Sequence, residues 1–349
     1  MVANLYQFEV KIGGLTATIG DEFGPGQYVN GSDGNLWSYG GILPGGSHSV
    51  YSWQTYIIKI NPVTGAYSYF IPSLTNFYFI YSIISDGTNL WFWWADTSYG
   101  IHISKMNTSG TILASYSITT VPGGSPCFDG TYIWWAGSGI SFLGSGTNII
   151  YGFNTLTGTS TTPLVLSSLP SSSILYNMVF DGTKLWVGGG GGSGTIFNFT
   201  LVTAILGGTT STYNTVSIGA YTNTLYFDGT TIWCGGLVGY IEGVVASTSA
   251  VTTYTISGWG STAVINLITD GTYFYLSDAN LNGDLITTTT GATPTVQTPF
   301  YNGVPLPPAN SIGFGGGVVD THGNTWLNNG SSLTTTKYFF SGNPIVMII

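Results

Sequence analysis

The run SDANLNGD places Asp278, Asn280, Asn282, Gly283 and Asp284 at the alternate spacing that opens an EF-hand-type loop. In such a loop oxygens converge on calcium because glycine permits the sharp turn. The twelfth position counted from Asp278 is Thr289, so the bidentate glutamate is missing. Asn, Asp and Gly are equally the residues of an ordinary hairpin loop. Calcium held by Asp278, Asn280, Asn282 and Asp284 is the one cofactor for which the sequence offers ligands, and no Cys/His cluster has zinc spacing. A second kind of chemistry resides in two aromatic stretches. SYGGILPGGSHSVYSWQTY carries Tyr39, His48, Tyr51 and Trp53, and WFWWADTSYG carries Trp93, Trp94, Asp96 and Tyr99. Rings beside short neutral polar groups suit carbohydrate, since a sugar's apolar face stacks on a ring while its hydroxyls take neutral hydrogen bonds. The competing role for the same rings is packing of each stretch onto its own sheet. Acid–base raw material is scarce: the histidines are His48, His102 and His322, and Glu242, Asp96 and His48 are the groups an enzyme would have to use.

The elements that must position these residues are repeats. An Asp-Gly turn followed by an aromatic recurs as SDGNLW at Asp33, SDGTNLW at Asp86, FDGTYIW at Asp129, FDGTKLW at Asp181, FDGTTIW at Asp228, TDGTYFY at Asp270 and the degenerate VDTHGNTW at Asp320. The aspartates lie 42 to 53 residues apart, a period that marks one supersecondary unit stacked on its neighbours. Asp-Gly between two apolar, β-branched runs is a strong hairpin signal, because glycine accepts the positive φ of a tight turn. In the fourth unit the runs are Tyr176 to Phe180, Lys184 to Gly188, Thr195 to Thr200 and a Thr/Ser-rich stretch near 209–217, four strands in all. A second turn, INPVTG at Ile60, MNTSG at Met106 and FNTLTG at Phe153, links the third and fourth. No long window carries a helical period. The expected fold is all-β: one domain over residues 1–349, a seven-bladed β-propeller of four-stranded antiparallel blades. An N-terminal strand from LYQFEV, set beside C-terminal strands such as SLTTTKYFF, would close the ring.

The blade pattern DGTxLW, a variable stretch and then IxKINxxTG resembles the propeller repeats of the streptogramin lyase, NHL and surface-layer YVTN families. The resemblance covers nearly the whole chain and implies the propeller fold. The lyases imply a catalytic His and Glu pair on the open face, and none of the three histidines stands in a matching motif. Trp37, Trp91, Trp134, Trp186, Trp233 and Trp326, with Tyr275 in the sixth unit, recur at one blade position and read as core wedges. Function is expected where repetition stops, in the stretch from the blade tryptophan to the second turn, because insertions in repeat proteins map to one face.

Only 5% of residues are charged, with five lysines, no arginine and a formal charge of −9. Such a chain cannot neutralise a run of phosphates, so nucleic acid is excluded as a partner, and an anionic membrane surface with it. No uncharged apolar run approaches the roughly 20 residues of a membrane-spanning helix. MVANLYQFEV KIGGLTATIG has neither the basic start nor the compact apolar run of a secretory signal. The Thr, Ser, Tyr, Asn and Gly-rich composition nevertheless suits an extracellular surface, and sequons occur at Asn30, Asn107, Asn198 and Asn329. The two together point to a virion or extracellular particle component, whose partners are other particle subunits and a host surface glycan or glycoprotein. The expected role is attachment without catalysis, with a lyase-like or glycan-active enzyme as the alternative. Few carboxylates and few cations to pair them predict acid stability, a melting temperature nearly level between about pH 3 and pH 7. Cys127 and Cys234 fall a full blade apart and are expected as buried free thiols.

Overall fold

The computed structural model describes residues 5–11, 22–23, 28–42, 54–138, 146–165, 174–190, 194–200, 213–218, 222, 224–235, 240–255, 264–269, 273–278, 284–288, 296–297, 300–301, 304–305, 318–319, 321, 325–329 and 334–340. Within them every regular element is a β-strand, and the strands form seven sheets, most of them simple antiparallel meanders. The second sheet consists of Phe77–Ser85, Leu90–Asp96, Ile101–Met106 and Ile112–Ile118 in chain order, and the fourth of Ile174–Phe180, Lys184–Gly190, Gly194–Thr200 and Tyr213–Ser217. The latter matches the strands read from the repeat to within a few residues. The N-terminal strand Leu5–Lys11 pairs antiparallel with Thr334–Phe340, from Leu5 opposite Phe340 to Lys11 opposite Thr334. The two ends of the chain thus share one sheet.

The chain divides into two compact units. The first comprises residues 1–117, 268–289 and 296–349, the second residues 118–267 and 290–295. In the first unit Trp37 and Ile57 of one sheet pack with Ile80, Ile83, Leu90, Phe92 and Trp94 of the next. In the second unit Trp134 and Ile150 pack with Leu175, Met178 and Leu185, and Trp186 packs with Ile232 and Val244. Core therefore lies between successive sheets, so the second strand of a sheet is covered on both faces. This is why LWFWWA, residues 90–95, is apolar without alternation and wholly buried. The last strand is an edge: Ile112–Ile118 alternates between half-buried and exposed, and Val251–Thr255 is exposed almost throughout.

The repeated aspartate does more than form a turn. In the third sheet Asp129 Oδ1 accepts the N–H groups of Thr131 and Tyr132 at 2.8 and 2.7 Å, while Oδ2 accepts the indole N–H of Trp134 at 2.7 Å. Asp86, Asp181 and Asp228 hold Trp91, Trp186 and Trp233 the same way at 2.7, 2.7 and 2.6 Å. Gly87, Gly130, Gly182 and Gly229 sit at positive φ beside them, as the hairpin requires. SDGNLW is one residue shorter, so Trp37 reaches only Asp33 Oδ1, at 3.2 Å, and Lys59 takes Oδ2 at 2.7 Å. Lys59 also lies over the Trp37 ring at 5.0 Å, Lys105 over Trp91 at 5.3 Å and Lys184 over Trp186 at 5.7 Å. Lys59 and Lys184 then donate to Thr108 O and Ala246 O, each in the following sheet. Three of the five cations are thereby used in the scaffold.

The second turn is fastened by its asparagine. Asn61 Oδ1 accepts the N–H of Val63 and Thr64, Asn107 Oδ1 those of Ser109 and Thr111, and Asn154 Oδ1 those of Leu156 and Thr157. Cys127 and Cys234 are free and buried.

Candidate functional site

Register is interrupted in the third sheet between Ala136 and Ser138, in the fourth between Leu175 and Met178, and twice at the end of the second sheet opposite its Asp-Gly turn. Phe77 pairs with Asp96 but Phe79 with Ala95, so Tyr78 is an extra residue; Ile80 pairs with Trp94 but Ser82 with Trp93, so Tyr81 is another. These are two β-bulges, and each inserts a tyrosine. The backbone groups they displace are met from the first sheet. Thr55, itself buried, accepts the Ile80 N–H at 3.1 Å and donates to Tyr78 O at 3.4 Å, and the Tyr39 hydroxyl donates to Tyr81 O at 2.6 Å. Burial pushes the Tyr39 phenol above its ordinary value.

The turn after Leu90–Asp96 adds a third tyrosine. Asp96 Oδ1 accepts the N–H groups of Ser98 and Gly100, both at 2.8 Å, which holds Tyr99 in the left-handed region at φ 64°. Asn76, whose carbonyl accepts the Thr97 N–H, stands at φ 57°. Non-glycine residues rarely adopt this region; the Tyr99 N–H donates to Asp96 O at 2.9 Å, which closes the turn. The other Asp96 oxygen meets His102 Nε2 at 3.0 Å. That hydrogen bond first, then the one from the Gly100 N–H, holds the Asp96 carboxyl below the ordinary carboxylate value. The His102 ring lies flat on Trp94 at 4.3 Å, and its Nδ1 is 3.3 Å from Ser117 Oγ. With both nitrogens of His102 and both oxygens of Asp96 engaged, this line of groups fixes the turn.

The result is an aromatic surface. Tyr99 is 47% exposed and meets Tyr78 edge-to-face at 6.1 Å, while the half-buried Phe79 meets Tyr81 edge-to-face at 5.1 Å. Burial first, then the neighbouring Tyr78 and Tyr99 phenols, raises the Tyr81 phenol. The described lysine side chains, Lys59, Lys105 and Lys184, stack on the clasp tryptophans beside the Asp-Gly turns instead.

Of the residues singled out from sequence, Trp93 and Trp94 are core, 0% and 4% exposed, with the Trp94 indole donating to Ser104 Oγ. Tyr39 supports a bulge, Asp96 caps a turn and Tyr99 reaches the surface. His48, Tyr51 and Trp53 lie outside the described residues. So do Asn280 and Asn282; Asp278 and Asp284 end and begin two antiparallel strands in which Ser277 pairs with Asp284, so the SDANLNGD run joins a hairpin. Glu242 is buried mid-strand opposite Cys234 and accepts a hydrogen bond from Thr253 at 3.0 Å. The surface residues not singled out are Tyr78, Phe79 and Tyr81. Their signal was present: FYFIYS puts aromatics on consecutive positions, which a strand of period two cannot direct to one face.

No family model and no curated protein matches the chain. Solved structures do resemble it. The extracellular domain of BT4673 from B. thetaiotaomicron matches at a TM-score of 0.64 and 15% identity, over 95% of this chain and 40% of that one. PorZ, a bacterial surface component of the type-IX secretion system of Porphyromonas gingivalis, matches at 0.60 and 14%, over 93% and 48%. A chain of the mitotic checkpoint complex matches at 0.60 and 13%, over 95% and 97%. The chain thus spans less than half of the length of the two bacterial proteins. At such identities the likeness speaks to fold alone.

Proposed function

We propose that the sheets form a seven-bladed β-propeller of the streptogramin lyase, NHL and YVTN repeat type over residues 1–349, closed where Leu5–Lys11 joins Thr334–Phe340. We propose further that it is a non-enzymatic binding module of a virion or extracellular particle surface, attaching to a host glycan or glycoprotein. The observation that carries this reading is the contrast between the two ends of the second sheet. At one end Asp86, Trp91 and Lys105 repeat the scaffold found elsewhere; at the other, two bulges and two left-handed residues accompany the neutral aromatics Tyr78, Phe79, Tyr81 and Tyr99. Irregularity of that kind concentrates at functional sites, because regular pairing would be more stable. The surface neighbours PorZ and the BT4673 extracellular domain are compatible with an exterior setting. A glycan array probed with the whole chain tests the binding role, and labelling of purified particles with an antibody to the chain tests the location. Binding without turnover is expected; turnover of a polysaccharide that Glu242→Ala abolishes would establish the enzyme instead.

A further inference from the structure

We infer that Tyr78, Tyr81 and Tyr99, with Phe79, form a cradle for a sugar ring of a neutral oligosaccharide, a site built by the two bulges of the Phe77–Ser85 strand. The inference rests on the glycan-binding reading above and gives it an address. Each tyrosine is delivered by an irregular piece of backbone: Tyr78 and Tyr81 are the inserted residues of the bulges, and Tyr99 occupies a left-handed position. A strand that paired regularly from residue 77 to 85 would send alternate side chains to opposite faces. The bulges break that alternation, and the rings meet in a line along the strand: Tyr99 against Tyr78 at 6.1 Å, and Tyr78's neighbour Phe79 against Tyr81 at 5.1 Å. The supporting groups come from elsewhere in the unit: Thr55 and Tyr39 hold the bulged backbone, and Asp96, fixed by His102, holds the turn.

The chemistry of the cradle selects its occupant. Ring faces and edges accept the C–H face of a pyranose, and phenol hydroxyls donate to and accept from sugar hydroxyls. Asp96 and His102, beside the turn, bond to each other and to it, and the described lysines stack on the clasp tryptophans beside the Asp-Gly turns. Among the described residues, no lysine side chain is placed to meet the anion of a sulfated or sialylated glycan.

The test is a glycan array carrying neutral hexose and N-acetylhexosamine oligosaccharides beside sialylated and sulfated ones, followed by titration of the best-bound neutral oligosaccharide. Tyr99→Asn is the primary variant, since asparagine tolerates the left-handed conformation while removing the ring. It should weaken binding about tenfold, the loss of one stacked ring, with an unchanged melting temperature. Tyr78→Phe and Tyr81→Phe keep the rings and should weaken binding about threefold to tenfold each by loss of a hydroxyl contact. Full binding by a Tyr78→Ala, Tyr81→Ala, Tyr99→Asn variant would overturn the cradle while leaving the glycan-binding role intact. Preference for anionic glycans would overturn the stated specificity. Failure of the native chain to bind any glycan would overturn both the cradle and the role beneath it.

Discussion

Asp181 illustrates what one residue does in the scaffold. Burial alone would raise its carboxyl, but the Trp186 indole N–H and the N–H groups of Lys184 and Thr183 outweigh that and leave it below the ordinary value; Asp228 is held down in the same way by Trp233, Thr231 and Thr230. Asn in place of Asp181 would keep an oxygen for the turn but present an amide N–H to the indole. Asp181→Asn should therefore cost about 1–3 kcal/mol, measured by urea unfolding at pH 7. Opposite Trp134 stands Gly152, where an added Cβ would lie 2.3 Å from the ring; Lys occupies the corresponding place opposite Trp37 and Trp91. Gly152→Ala should lower stability by about 1–3 kcal/mol through overpacking, read in the same titration. The sequence made the aspartates legible as turn formers, since Asp-Gly is a local signal. The bond to an indole five residues on was not legible, because it exists only once the hairpin has closed and turned the tryptophan back.

The strand Phe77–Ser85 shows how an element is shaped by its neighbour. Its existence follows from FYFIYSIIS, an apolar and β-branched run ending at an Asp-Gly turn. Its two bulges do not, because their displaced backbone groups are satisfied by Thr55 and Tyr39 from another sheet. Thr55→Val keeps the shape and removes both hydrogen bonds. It should cost about 1–3 kcal/mol and also weaken glycan binding, although Thr55 is buried and touches no ligand. Isothermal titration beside thermal melts separates the two effects. Burial likewise decided the aromatic run 91–94: the residue types fit both a binding surface and a core, and only the covering of both faces of the second strand assigned Trp93 and Trp94 to the interior.

At the scale of the whole molecule, few charges mean that acid acts through few groups. Asp33, Asp96, Asp181 and Asp228 are held below the ordinary carboxylate value in the folded chain. A depressed carboxyl contributes stability that is fully present above the unfolded value, near 3.9, and is lost as pH falls through the folded one. The melting temperature should hold level from pH 7 to about 5 and fall below about pH 4, so the level range is shorter than composition alone predicts. Calorimetry across that range checks it, and Asp181→Asn should make the acid limb shallower. Burial pushes both thiols, Cys127 and Cys234, well up, so a thiol reagent should label neither until the chain unfolds. The sequence by itself determined the all-β character, most strands and the Asp-Gly and Asn-centred turns, because hairpin turns and apolar runs are local properties that each unit states for itself. The tertiary structure alone decided which aromatics are scaffold and which face solvent, because burial, bulge geometry and the reach of Lys59, Thr55 and Tyr39 depend on a second sheet packed against the first.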